Sequence, residues 1–197
     1  FRAMGLPMPT EEQVRPTVGM TLMDAYTHLT GDSSPERRQE FYHQFQITVG
    51  EAATGEFARA MVDQTDLFPG ARELLNALHD RGVKVALVST KHGSTIRKIF
   101  DHQGLTHTAD LIVGGSDVSR SKPDPEGLNL ALTRLGLAAG EVLFCGDTVI
   151  DAQTARNGGT DFCAVLNGTT PAPAFDAWPH VHIAPDLSDL GRWLGVL

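Results

Sequence analysis

The apolar and polar positions of the chain follow two different patterns, and the change comes near residue 66. Residues 10–65 carry apolar residues at helical spacing, as in Phe41, Phe45 and Val49, among scattered polar positions. No segment there is a convincing strand. From Phe68 onward, short apolar runs alternate with amphipathic segments. We therefore predict a small helical unit followed by an α/β unit.

The α/β unit contains short apolar runs that predict four strands, namely Val83–Val88, Leu111–Val113, Val142–Cys145 and Phe162–Leu166. Between them, Ser94 is placed to cap one helix, and Asp124 to cap another with Pro125 at its first position. Continuous apolar runs are typical of parallel strands that helices cover on both faces. The predicted fold class is therefore α/β, with a Rossmann-like, doubly wound parallel sheet and a small helical domain.

The charge and the cysteines of the chain limit its function classes. Lys and Arg number 16 against 24 Asp and Glu, which gives a net charge of −8. An acidic chain repels nucleic acid and anionic membranes, so we expect neither as a partner, and an anionic substrate must meet local positive groups. Cys145 and Cys163 lie in apolar runs, and we predict that both are buried thiols of a reducing, cytoplasmic compartment.

Polar residues with the chemistry for handling phosphate lie where the predicted strands end. Ser89 follows the first strand, and Asp147 and Asp151 follow the third. Lys122 lies in the loop after the second strand. Ligands of an open parallel sheet bind beyond the carboxyl ends of its strands. A hydroxyl, a lysine and two acids at this edge are the parts of a phosphate and divalent-metal site.

The hydroxyl and the lysine also have simpler interpretations. Ser89 could merely end a strand, and Lys122 could be an exposed surface lysine. We favour phosphate binding for Ser89 because Thr90 and Lys91 add donors beside it. We also favour phosphate binding for Lys122, because Pro123 and Pro125 stiffen the backbone beside it. A lysine that is merely solvated would not need a stiff backbone.

The two acids could cap a helix rather than bind a metal ion. We favour metal binding because Gly146 lets a ligand approach Asp147 closely. Asp151 follows four residues later, so on a helix both carboxylates would lie on one face. Carboxylate oxygens suit Mg²⁺, and the sequence therefore predicts a Mg²⁺ site at Asp147 and Asp151.

Three motifs occur in order along the chain: Val88-Ser89-Thr90-Lys91, Ser121-Lys122-Pro123-Asp124-Pro125 and Gly146-Asp147-Thr148-Val149-Ile150-Asp151. Leu67-Phe68-Pro69-Gly70 precedes them at the entry to the α/β unit. Together these residues resemble the haloacid dehalogenase-like hydrolases, within them the phosphoglycolate phosphatase-like branch. Each motif alone is weak, but three in order at strand ends are a strong signal. The resemblance covers nearly the whole chain.

The resemblance implies a linker at residues 1–8, a helical cap at residues 9–65 and an α/β core at residues 66–197. In that family, the first aspartate of an Asp-x-Asp motif attacks phosphorus and the second is the general acid and base. The chain lacks this motif and opens with Phe1-Arg2-Ala3-Met4. We therefore expect the nucleophile upstream of Phe1, on a strand within roughly twenty missing residues.

The activity implied by the resemblance is a Mg²⁺-dependent phosphatase that hydrolyses a small, phosphoglycolate-like phosphomonoester through an aspartyl-phosphate intermediate. Ser89 and Lys122 would be catalytic. Together with Thr90 and Lys91 they would bind the substrate, and Gly19 of the cap loop would help to select it. The expected partner is a small phosphorylated metabolite, and both a monomer and a homodimer stay open.

Other functions stay open as well. A haloacid dehalogenase would need no metal, which would leave the acid pair Asp147 and Asp151 unexplained; a phosphosugar mutase is a further alternative. A non-catalytic binding or regulatory protein would follow if the chain truly began at Phe1. Against that, a gap in the middle of the sheet would expose unpaired backbone groups and forfeit core contacts.

Overall fold

The computed structural model describes residues 1–53, 62 and 65–197, and the chain divides into two units, residues 1–64 and 65–197. The described helices of the first unit are α1 (Glu11–Val14), α2 (Leu22–Thr30) and α3 (Pro35–Ala53). Residues 1–53 contain no strand, as predicted. Residues 54–61, 63 and 64 of the predicted cap lie outside the described residues, as does the side chain of Val49.

A pair of aromatic rings forms the centre of the first unit. Tyr26 of α2 and Phe41 of α3 are buried, with ring centroids 5.0 Å apart. Phe45, which the helical spacing placed on the same side as Phe41, is 43% exposed. The pattern therefore identified the helix, but only part of its buried face.

The second unit alternates strands and helices. Its elements are α4 (Ala71–Asp80), β1 (Ala86–Val88), α5 (Gly93–His102), β2 (Leu111–Val113), α6 (Glu126–Leu135), β3 (Leu143–Gly146), α7 (Val149–Gly158), β4 (Asp161–Val165), β5 (His182–Ala184) and α8 (Leu187–Trp193). All four predicted strands are present, and β5 is a fifth. Within the described ranges, no helix is both long and apolar enough to span a bilayer.

The first strand is shorter than the apolar run that predicted it. Pairing with β2 begins only at Ala86, opposite Leu111. Before that point, the backbone N–H of Val83 donates to Leu78 at the end of α4, and that of Val85 donates to the Asp110 carboxylate. The carbonyl of Val85 accepts the backbone N–H groups of Asp110 and Leu111, so backbone bonding to the β2 segment reaches back to Val85 but no further.

The strands form two parallel sheets, β1-β2 and β3-β4-β5. In the part of the chain that the structure describes, no hydrogen-bond ladder joins β1 to β3. β3 therefore has a neighbouring strand on one side only. Cys145 of β3 is exposed although we predicted it to be buried, whereas its register partner Cys163 of β4 is buried; both are free thiols.

Helices cover both faces of each sheet, which confirms the doubly wound arrangement. On β4, Phe162 and Ala164 pack with α7, while Cys163 and Val165 pack with α4 and α8. These alternate residues point to opposite faces of the sheet. The β1-β2 sheet is covered by α5 on one face, and α6 lies against both of its strands.

Two predicted helix starts were wrong by one or two residues. The N-cap of α5 is His92, whose ring Nδ1 accepts the backbone N–H of Ser94, so Ser94 lies inside the helix. The N-cap of α6 is Pro125. Asp124 nevertheless supplies the capping bond one residue earlier, since its Oδ1 accepts the N–H of Glu126 at 2.9 Å.

We expect Leu128→Ala to lower the free energy of unfolding by about 2–5 kcal/mol, because it removes buried methyl groups and leaves a cavity. Leu128 of α6 is 2% exposed and packs against Gly158 of α7, so it joins the helices that follow the two sheets. Urea unfolding would measure the loss. Leu194→Ala is the matched control: Leu194 is 37% exposed, and its loss should cost about 1 kcal/mol or less.

Candidate active site

Ser89 begins the loop that follows β1, at the carboxyl end of the sheet. Its backbone N–H donates to the carbonyl of Val113 at 3.0 Å, which continues the β1-β2 pairing by one residue. The N–H of Lys91 donates to Ser89 Oγ at 3.1 Å. Accepting this bond leaves the Ser89 hydroxyl proton available for a ligand oxygen.

A cleft brings three of the predicted substrate-binding residues together. Ser89, Thr90 and Lys122 all line it, with Ser121 beside them. Three valines supply an apolar wall: Val88 and Val113 at the ends of β1 and β2, and Val118 in the loop after β2. Because loops after parallel strands meet at one edge of the sheet, residues 33 positions apart can share one cleft (122 − 89 = 33).

An ion pair at this edge joins two of the predicted site residues. Lys122 Nζ donates to Asp151 Oδ1 at 2.6 Å, and the side chains are 16% and 6% exposed. A lysine this well covered is not a solvated surface group. The simpler interpretation of Lys122 as an exposed residue is therefore wrong.

Asp151 is also part of the cap of α7. Thr148 is the N-cap, and its backbone N–H and hydroxyl donate to Asp151 Oδ2 at 3.1 and 2.6 Å. The N–H of Asp151 donates back to Thr148 Oγ1 at 3.2 Å. This reciprocal capping box fixes the carboxylate, so its other oxygen faces Lys122. The Asp151 side chain thus both caps α7 and forms the ion pair with Lys122.

Asp147 lies in the turn before α7. The helix begins at Val149, so the two acids do not share a helical face as the spacing of four residues had suggested. The two acids are nevertheless close enough for their charges to repel. The Asp147 carboxylate lies directly against Gly168, and the Asp151 side chain lies directly against Gly146. A Cβ at either glycine would collide with these groups, so both close approaches require glycine.

Burial raises the pKa of Asp147 above its usual value, and repulsion from Asp151 raises it further. Lys122 opposes the rise only in part. Two carboxylates and one ammonium leave one negative charge uncompensated when all three are ionised. A cation at this point would relieve both the desolvation and the repulsion.

The donors at Asp147 and Asp151 are of the kind that Mg²⁺ uses. Mg²⁺ is commonly held by one or two carboxylates, with water and substrate phosphate completing its shell. Within residues 1–53 and 65–197 no cluster of three or more His, Cys, Asp or Glu side chains is arranged to hold a metal by itself. Next to Gly168, the buried side-chain oxygen of Asn167 has no hydrogen-bond partner and is another hard oxygen. The local groups therefore fit Mg²⁺ with an incomplete protein shell.

Lys91, a predicted substrate-binding residue, is not among the residues that line the cleft. The Lys91 side chain is exposed, and its residue contributes backbone bonds to Ser89 and Gly115 instead. Gly19 belongs to the first unit, where its φ of 90° requires glycine. The sequence analysis missed Arg120, which lines the cleft two residues before Lys122. The sequence could have indicated Arg120, because it lies directly before the Ser121-Lys122-Pro123 motif.

The family profile of the haloacid dehalogenase-like hydrolases matches residues 1–165. The chain belongs to this family. Its solved members include a haloacid dehalogenase-like hydrolase from Bacteroides fragilis, which is 32% identical with a TM-score of 0.86. That match covers 96% of this chain and 86% of the other. The resemblance seen in the three motifs is thereby confirmed, together with the α/β fold class.

Curated relatives in the family include enzymes with named activities. A phosphoglycolate phosphatase from Rhodospirillum rubrum is 31% identical over 129 residues, covering 66% of this chain and 53% of the relative. Pyrophosphatase PpaX from Listeria monocytogenes is 28% identical over 151 residues, covering 77% of this chain and 64% of the relative. The match therefore spans between half and two thirds of the length of these enzymes.

The raised pKa of Asp147 predicts how Asp147→Asn changes stability with pH in the absence of divalent cations. The folded state binds the proton more tightly than the unfolded state, so the stability that protonation supplies is complete below about pH 4 and is lost as pH rises through the raised pKa. We expect Asp147→Asn to gain stability relative to the unsubstituted protein between about pH 4 and pH 8. Urea midpoints across this range measure the trend.

Asp110→Asn is the control of opposite sign. The hydrogen bond from Lys84 holds the pKa of Asp110 below its usual value, so Asp110 stabilises the fold above its unfolded pKa and loses this effect as pH falls. Asp110→Asn should therefore lose relative stability as pH rises toward about pH 4 and show no further trend between about pH 4 and pH 8. The same trend in both variants would contradict the assignment of a charge-repelling environment to Asp147.

Proposed function

We propose that the protein acts as a Mg²⁺-dependent phosphatase on a small phosphomonoester. The observation that carries this proposal is the covered ion pair of Lys122 and Asp151, because Lys122 also lines the cleft that contains the Ser89 hydroxyl. A cation and a hydroxyl donor in one cleft suit a phosphoryl group, whose oxygens carry negative charge. Family membership and the names of the two enzyme relatives support the same reaction class.

Ser89 and Lys122 would act on the phosphoryl oxygens. The Ser89 hydroxyl would donate a hydrogen bond, and the Lys122 ammonium would offset negative charge on the phosphoryl group and on the attacking carboxylate. Both groups are held in advance, Ser89 by its bond from Lys91 and Lys122 by Asp151. Pre-arranged charge of this kind lowers a barrier because it need not reorganise during the reaction.

Asp147 and Asp151 would hold the Mg²⁺. When bound, the ion would neutralise phosphate charge and orient the phosphoryl group. The uncompensated negative charge at Asp147 and Asp151 supports this role, because a phosphate anion would otherwise be repelled there. The chain as a whole carries a net charge of −8, so local cations must attract the substrate.

The nucleophile would be an aspartate on a strand that precedes these residues in the complete protein. The separation of β1-β2 from β3-β4-β5 supports this proposal, since one added strand between β1 and β3 would join the two sheets. Its carboxyl end would then lie between the loops that carry Ser89 and Asp147. The carboxylate would form a bond to phosphorus as the ester oxygen leaves, and water would hydrolyse the aspartyl phosphate.

The substrate would be a small anion such as a phosphoglycolate-like ester. The names of the two relatives, a phosphoglycolate phosphatase and a pyrophosphatase, support this proposal. Gly19 would take part in substrate selection from the first unit.

Activity on p-nitrophenyl phosphate with Mg²⁺ tests the proposal. A longer protein with an upstream Asp-x-Asp strand should hydrolyse the ester, and residues 1–197 alone should not. In the longer protein, Lys122→Met should lower kcat roughly a hundredfold, since it keeps the length of the side chain but removes its charge. Lys98→Met, at an exposed position of α5, is the control and should have little effect.

Two results would count against the phosphatase. Near-native turnover of Lys122→Met would make the lysine a structural residue. An inactive longer protein across a panel of phosphate esters would favour a binding role.

Titration calorimetry with MgCl₂ tests the metal site without an activity measurement. We expect Mg²⁺ to bind in preference to Zn²⁺, because both proposed ligands are hard oxygens. Asp147→Asn combined with Asp151→Asn should weaken Mg²⁺ binding at least about tenfold, which is about 1.4 kcal/mol. Asp110→Asn, an acid paired with Lys84, should leave it unchanged. Undiminished Mg²⁺ binding in the double variant would contradict the assignment of the metal site to Asp147 and Asp151.

A further inference from the structure

The loop that carries Lys122 is attached to the first turn of α6 by one side chain. Glu126 accepts hydrogen bonds from the backbone N–H groups of Ser119 and Arg120, both at 2.9 Å. It also accepts the Ser119 hydroxyl at 2.9 Å, and the Arg120 side chain lies 3.4 Å away. These donors hold the pKa of Glu126 down at about 2, so the carboxylate stays charged at neutral pH.

The far side of Lys122 is held by a second attachment. Asn157 of α7 donates to the carbonyl of Pro123 at 2.9 Å. Lys122 therefore lies between two anchored points, with Glu126 fixing the residues before it and Asn157 fixing the residue after it. The position from which the Lys122 ammonium reaches Asp151 therefore depends on both Glu126 and Asn157.

The same turn of α6 also touches the strand that leads to Ser89. A Cβ built on Gly127 would lie 3.1 Å from Val88, 3.6 Å from Val113 and 3.7 Å from Val118, so the helix start packs against the ends of β1 and β2. Val88 immediately precedes Ser89. Gly127 follows Glu126, so adjacent residues contact the Ser89 strand and the Lys122 loop.

We infer that Glu126 is a positioning residue for Lys122: its carboxylate fixes residues 119 and 120 on the first turn of α6 and so sets Lys122, two residues later, relative to Ser89 and Asp151. The inference rests on the proposed phosphatase function for its catalytic consequence. The placement of the Lys122 side chain by Glu126 does not depend on the phosphatase function and can be measured without an activity assay.

Lysine acetylation followed by peptide mass spectrometry measures the placement. Both lysines are ion-paired, but the Lys122 side chain is 16% exposed, whereas that of Lys84 is 59% exposed and serves as an internal reference. We expect Glu126→Gln to raise the acetylation rate of Lys122 relative to Lys84 about fivefold or more. Glu141→Gln is the matched control, since Glu141 likewise accepts a backbone N–H, that of Ala138 at 2.8 Å, but lies just before β3. It should leave the ratio unchanged.

Kinetics of the longer protein test the catalytic consequence. Glu126→Gln should lower kcat for p-nitrophenyl phosphate about tenfold with little change in KM, and Glu141→Gln should not. In a Lys122→Met background, Glu126→Gln should have almost no further effect, because both changes act through the same ammonium. A merely structural role would give additive losses.

The outcomes separate the inference from the proposed function. An unchanged acetylation ratio, or additive kinetic losses, would overturn the inference. An inactive unsubstituted protein in which Glu126→Gln still raises the Lys122 ratio would overturn the phosphatase and retain the placement of Lys122 by Glu126. If Glu126→Gln unfolds the chain, Glu126→Asp keeps the charge, shortens the reach and provides the same comparison.

Discussion

The ion pair of Lys122 and Asp151 is the interaction on which the rest of the site depends. It joins the loop after the β1-β2 sheet to the helix after β3, although the described strands of the two sheets share no ladder. Both charges are largely removed from water, so loss of either partner would leave the other charged and poorly solvated. The contact between Leu128 and Gly158 packs α6, the helix that follows this loop, against the same helix α7. Site geometry and core packing therefore both depend on how α7 lies against the segment that contains Lys122 and α6.

The electrostatic balance explains why the site would need a second cation. Lys122 satisfies Asp151 through a hydrogen bond but offsets the charge of Asp147 only in part, and Asp147 accordingly has a raised pKa. A phosphate ester would meet this carboxylate at close range. An ion such as Mg²⁺ between them would reverse this repulsion, which Lys122 relieves only in part.

The sequence predicted what depends on local pattern. The apolar run at residues 162–166 identified β4 because burial on both faces leaves no polar position, and strand ends located Ser89 and Asp147. Contacts between distant residues were not predictable in this way. The packing of Asp147 against Gly168 and the attachment of residues 119–120 to Glu126 depend on loops brought together by the fold. β5 was not among the four strands predicted from apolar runs, because it has only three residues, one of them His182, and so lacks a continuous apolar run.

The capping box assigns different tasks to the two acids. Asp151 uses one oxygen for Thr148 and the other for Lys122, so its remaining lone pairs are what a metal ion could share. Asp147 takes part in neither interaction, and burial together with repulsion from Asp151 raises its pKa. Asp147 would therefore be the principal metal ligand, and Asp151 chiefly the residue that orients Lys122. Loss of Asp151 would consequently affect helix α7, the lysine and the metal together, while loss of Asp147 would affect mainly the metal.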